Sequence, residues 1–135
     1  MTIQLSTTVR NGRLDSIETV VGTSAILLLR TGAPPADVAA ANSGTVLATL
    51  NLPADWMDAA ASGSKAKAGT WQDASADGTG TCGHFRLYAS DGTTAHIQGT
   101  VTITGGGGDM TLDNTSIASG QSVTITGFTL TDGNA

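Results

Sequence analysis

Rings and charges are both scarce in this chain: aromatic residues make up 4% of its 135 positions and charged residues 13%. A core drawn from it must come from Val, Ile, Leu, Ala and Thr methyl groups, and a thin core of that kind gains from further burial against a neighbouring subunit. Six basic residues stand against eleven acidic ones, for a net charge of −5. Only Lys65 and Lys67 lie close together, whereas a nucleic-acid surface needs clustered Lys and Arg to displace counterions. Cys82 is the single cysteine, which excludes an internal disulfide framework and any dependence on an oxidising compartment. The longest apolar run, Ala25-Ile26-Leu27-Leu28-Leu29, is far below the roughly 20 residues of a membrane span. Met1-Thr2-Ile3-Gln4-Leu5 lacks the basic start and apolar stretch of a secretory signal. The expected product is made in a cytosol, with neither nucleic acid nor membrane as partner.

Glycine, by contrast, is plentiful at 18 residues, and with abundant Thr it gives the composition of a turn-rich β protein. The length suits one domain over residues 1–135. Leu14, Ile17 and Val21 recur at helical spacing, which predicts one helix over residues 6–21 with Ser6 as its cap and Gly22 as its stop. From residue 24 to 131 the pattern turns to short strands. Residues 26–31 read as a buried strand, 45–52 as a second and 64–71 as a half-exposed one carrying Lys65 and Lys67. Residues 81–89 place His84, Arg86 and Tyr88 on one face and Phe85 and Leu87 on the other. Asp91-Gly92 predicts a type I′ hairpin returning through residues 94–104, and residues 105–108 a flexible glycine joint. A parity switch at Gly127 predicts a bulge in the last strand, residues 122–131. The expected fold is mainly β, an antiparallel β-sandwich or jelly-roll-like barrel with one N-terminal α-helix.

Reactive residue types are thinly spread. Cys82 and His84 share a strand face, and His96 approaches only if the hairpin pairs it with His84, so an exposed polar pair is the expectation and no metal site is assigned. No nucleophile has a base and an orienting acid at a known spacing. The Asp residues fall in turns, where Asp bonds its own backbone. No catalytic residue, cofactor or small-molecule substrate is expected. Trp56, Met57 and Trp71 divide evenly between core and an exposed contact surface for protein or carbohydrate. Unpaired strand edges offer a further route to a neighbour.

Five sets of segments stand out along the chain: Gln4-Leu5-Ser6 with Arg10-Asn11 and Leu14, Leu28-Leu29-Arg30-Thr31-Gly32-Ala33-Pro34-Pro35, Phe85-Arg86-Leu87 with Asp91-Gly92, Gly99-Thr100-Val101, and Asp109-Met110-Thr111-Leu112-Asp113-Asn114-Thr115-Ser116-Ile117 with Gly120 and Val123-Thr124-Ile125. Together they resemble a family of small virion proteins of tailed bacteriophages. The resemblance implies a non-enzymatic structural protein. It points to a homo-oligomeric capsid cement or decoration protein, bound to major capsid subunits on the capsid surface after synthesis in the host cytoplasm. A tail or head–tail joining component is the alternative, and a carbohydrate-binding β-sandwich module the second. The expected protein contacts are Ile3, Leu5, Pro34, Pro35 and Trp56, apolar or rigid residues placed largely outside the strand framework.

Overall fold

A computed structural model describes residues 3–133 of the chain. One helix, α1 (Thr7–Val21), precedes nine strands: β1 (Ile26–Thr31), β2 (Val46–Asn51), β3 (Ser64–Ala66), β4 (Gln72–Asp73), β5 (Gly80–Tyr88), β6 (Ala95–Ile103), β7 (Met110–Leu112), β8 (Ser116–Ile117) and β9 (Val123–Thr131). The fold is mainly β with a single N-terminal helix, as the two periodicities require. The Ser6 hydroxyl accepts from the Val9 amide at 3.3 Å, and the Gly22 amide donates to Glu18 O at 2.9 Å.

The strands form one curled sheet in the order β2-β1-β5-β6-β7-β9-β3, with β4 on β9 and β8 on β5. Curling brings β2 against β4, which pairs with β9 on the other side of the sheet. Along the outer edge of β2, the Asp73 carboxylate accepts from the Thr49 amide at 3.0 Å, and Leu47 O accepts from the Asp77 and Gly78 amides. The edge of β3 is covered in the same way, by Asp58 donating to Ala66 O and by mutual bonds between Ala61 and Ser64. Both terminal strands therefore carry hydrogen bonds from the same chain along their outer edges.

One pairing departs from the antiparallel expectation: β6 and β7 run parallel, with Val101 opposite Met110. Parallel neighbours ordinarily need a long crossover. Here residues 104–109 double back along β6 itself, and the Asp109 carboxylate accepts from the Thr100 amide and hydroxyl, each at 2.8 Å. Of the four glycines, Gly106 and Gly108 pack closely against Thr102, while Gly105 and Gly107 face open space at positive φ. A Cβ on Gly108 would lie 2.9 Å from the Thr102 amide nitrogen. The bulge expected near Gly127 is present, since Thr111 pairs with Gly127 but Leu112 with Ile125. The Asp91-Gly92 hairpin is longer than a type I′ turn: Gly92 donates to Ala89 O, and Ala89 to Thr94 O. Asp91 keeps a negative φ while Gly92 has φ +70°, and the Asp91 carboxylate accepts from the amides of Thr93 and Thr94. Residues 36–42 contain a hydrogen-bonded turn at Asp37–Ala40.

Inside the curl, Leu27, Leu29, Leu47, Leu50, Leu87 and Met110 are fully buried. The scarce rings are spent there in one row. Ring centroids lie 6.1 Å apart for Trp56–Trp71, 5.6 Å for Trp71–Phe128 and 5.5 Å for Phe85–Phe128, within the range of favourable aromatic pairs. Each indole N–H is satisfied, Trp56 by Gly22 O at 2.9 Å and Trp71 by Ala68 O at 3.0 Å. Trp56 is 0% exposed. The expectation that it contacts a partner is corrected: the core takes it, because few other side chains are large enough to fill that space.

Candidate functional site

Two polar clusters organise the molecule. The first joins α1 to β3. Asp15 and Glu18, three residues apart, project from one face of α1, and Lys65 of β3 reaches between them at 2.8 Å and 3.0 Å. Lys65 is 3% exposed and also donates to Asp58 O. The carboxylates hold backbone as well: Asp15 accepts from the Ala60 amide and Glu18 from the Met57 amide. A cleft of about 590 Å³ opens beside them, bordered by Thr19, Ala54, Asp55 and Met57.

The charges in this cleft are mutually set. Hydrogen bonding from Lys65 and then Ala60 holds the Asp15 carboxyl below its ordinary value. Burial alone would raise Glu18, but Lys65 and the Met57 amide outweigh it and the net shift is downward. Burial alone would lower Lys65, yet its two carboxylates raise it. Asp55 is pushed the other way, upward, by its hydrogen bond to Glu18 and the repulsion of that charge. Together these ion pairs and hydrogen bonds fasten the helix to β3 and to residues 57–60.

The second cluster lies on the outer face of the sheet. The pairings Arg30–His84, Leu28–Arg86, His84–Thr100 and Arg86–Gln98 put these side chains on one side, opposite the core-facing Leu29, Phe85 and Leu87. Residues 32–44 cross over them. Arg86 donates to Ala40 O at 3.0 Å, to Asn42 Oδ1 at 2.6 Å and to Val38 O, and the Tyr88 hydroxyl donates to Asn42 Oδ1 at 2.6 Å. Gln98 Nε2 donates to Pro35 O at 2.7 Å, and His84 Nδ1 lies 2.9 Å from Gly32 O. The face expected to be exposed is therefore covered: His84 is 0% exposed and Arg86 2%. Alternation assigns side chains to faces and cannot say what a later loop lays over one of them. A signal was present in the loop, whose many small residues leave carbonyls as its main means of attachment.

Cys82 and His84 share that strand but not a chemistry. The thiol donates weakly to the His84 carbonyl oxygen at 3.8 Å and not to the ring, and burial pushes its pKa up to about 11. The register places His84 opposite Thr100, four residues beyond His96, so the two rings are not cross-strand partners. Among the described residues, no group of three or more His, Cys, Asp or Glu side chains is placed to hold a metal ion, and no helix is long and apolar enough to cross a membrane.

The remaining expected contact residues are placed as follows. Ile3 is 80% exposed and Leu5 half-buried. Pro34 and Pro35 are half-buried within the loop that Gln98 fastens. With Trp56 and Trp71 inside, no tryptophan offers the flat exposed ring that carbohydrate contact was expected to use. Val9 and Val20 are apolar residues whose exposure the strand and helix patterns did not single out, at 48% and 69%. They stand eleven residues apart on α1, three turns of a 3.6-residue helix, and so share its outward face. Comparison with family models, curated proteins and solved structures gave no match for the chain.

Proposed function

We propose that the protein is a non-enzymatic virion structural protein of a tailed bacteriophage, acting as a capsid cement that binds major capsid subunits. The observation that carries this reading is the placement of its exposed apolar side chains. Of the four large ones among the described residues, Ile3, Val9 and Val20 belong to the N-terminal arm and α1, and only Ile103 lies elsewhere. A chain this poor in large apolar residues leaves three of them in water along one stretch of sequence, and that stretch is where this reading places the contact with capsid subunits. Behind that segment, Lys65 and its carboxylates fix the helix to the sheet, so docking through it loses little conformational freedom.

The sequence resemblance supplies the virion setting. The net charge of −5 suits an outer position, since an acidic protein is repelled by packaged DNA. A standard interface takes roughly 800 Å² from each partner, a small share of the 6646 Å² accessible surface, and many copies stabilise a shell by mass action. The test is to prepare particles with and without the protein and heat them. Release of DNA at lower temperature from particles lacking it supports cement. Unchanged heads with defective or missing tails would overturn that station in favour of a tail or joining role.

A further inference from the structure

Arg30 and Arg86 are 8% and 2% exposed, and neither forms an ion pair among the described residues. A buried guanidinium is normally paired, because removing its charge from water is costly unless an opposite charge compensates. This chain has eleven acidic residues, yet what reaches the two guanidinium groups is neutral: backbone carbonyls of Val38, Ala40, Ser43 and Gly44 and the Asn42 side-chain oxygen. The bonds from Arg30 are long, 3.4 and 3.5 Å. The Nε atoms of both arginines and Nε2 of His84 are buried with no hydrogen-bond partner.

We propose that this shelf is an oxyanion site and that residues 32–44 are its lid, lifting to admit a carboxylate or phosphate group onto Arg86 and Arg30. The two arginines stand on adjacent paired strands, two positions out of register on one face, a diagonal that long side chains span. A guanidinium binds carboxylate or phosphate through two parallel N–H bonds, and such charged bonds are about twice as strong as those to neutral acceptors. The lid is built to release. Between Gly32 and Gly44 its only large aliphatic side chain is Val38, and it contributes nothing to the buried core. Its hold on the sheet is hydrogen bonds: those from Arg30 and Arg86, which an anion would replace, and those from Tyr88, Gln98 and His84. Of the latter, the Tyr88 and Gln98 bonds must break as it lifts, and the His84 bond to Gly32 stays at its hinge. Gly32 at φ +78° and Gly44 at φ +69° flank it, both in the left-handed region that glycine adopts freely. An anion site of this kind would stand whether or not the protein is a capsid cement.

The experiment uses Asn42→Ala, which removes the acceptor shared by Arg86 and Tyr88. Its melting temperature is followed against sodium phosphate and, separately, sodium acetate, with sodium chloride at matched ionic strength. Phosphate strengthens burial in any protein by exclusion from its surface, so the informative quantity is the difference from Asn42→Ala/Arg86→Gln. A saturable recovery of melting temperature in Asn42→Ala that the double variant lacks supports the site, and which salt produces it identifies the ligand class. Equal responses in the two variants would overturn it and leave the arginines as a clamp for the loop. Should the double variant not fold, amide exchange over residues 33–43 of the wild-type chain decides instead. Faster exchange in phosphate or acetate than in chloride supports a lifting lid, and unchanged exchange rules it out.

Discussion

A lysine can sit inside a protein only where its charge is answered, and Lys65 is answered twice, by Asp15 and Glu18. Removing it leaves two carboxylates facing each other beside Asp55. Lys65→Met should therefore lower stability by about 2 kcal/mol, between the value of an exposed pair and that of a buried one, as read by urea denaturation. Asp55 acts in the opposite sense. Its folded-state pKa is raised, so the folded form binds a proton more tightly than the unfolded form, and stability increases as pH falls from neutral through that raised value. Asp15 and Glu18 are depressed, so their contribution is present above their unfolded values, near 4, and is lost as pH falls through the folded ones. The melting temperature should thus rise slightly from pH 7 into the mildly acidic range and then drop. Asp55→Asn should raise the neutral-pH melting temperature and abolish the initial rise; a pH series on the two proteins checks both. Lys65 lay on the strand pattern as a half-exposed residue, because alternation fixes a face without revealing its cover. Asp15 and Glu18 stand three apart on the polar face of the helix, but nothing local in the sequence ties them to a lysine some fifty residues on.

At the scale of elements, what the sequence revealed is what depends on neighbours along the chain. The cap at Ser6, the stop at Gly22 and the bounds of β1 follow from local residue chemistry, and the structure has them where spacing put them. The parallel pairing of β6 with β7 was not legible, because it depends on the return of residues 104–109 being held by Thr100, Thr102 and Asp109 across the chain. Two glycines separate these cases experimentally. Gly12 sits within α1 with open space around its Cβ position, so Gly12→Ala should stabilise the protein by about 1 kcal/mol through helix propensity alone. Gly108 has no such room, since an added Cβ would lie 2.9 Å from both the amide nitrogen and Oγ1 of Thr102, and Gly108→Ala should cost about 1–3 kcal/mol through overpacking. Thermal melts of the two variants should therefore move in opposite directions. Equal small shifts would mean that the return is looser than a packed one.

For the whole molecule, the decisive property is that its fastenings and its exposed apolar residues occupy different places. Ile3, Val9 and Val20 lie in water, and exposed positions usually change stability by no more than about 0.5 kcal/mol when substituted. The buried Lys65 cluster lies elsewhere, toward β3. Function and folding can then be separated by single substitutions. Ile3→Asp and Val20→Asp should leave the melting temperature of the isolated chain nearly unchanged. On purified particles the same variants should bind at reduced occupancy, because each places a charge in what the proposal makes the dry centre of the interface, where charged residues are depleted. Ile103→Asp is the matched control: it is 53% exposed but belongs to the far end of β6, and it should bind as the unaltered protein does. Occupancy is read by sedimenting particles with added protein and measuring the copies retained. Loss of binding by Ile103→Asp alone would move the contact surface to the return after β6, and full binding by all three would remove the arm and helix from the interface.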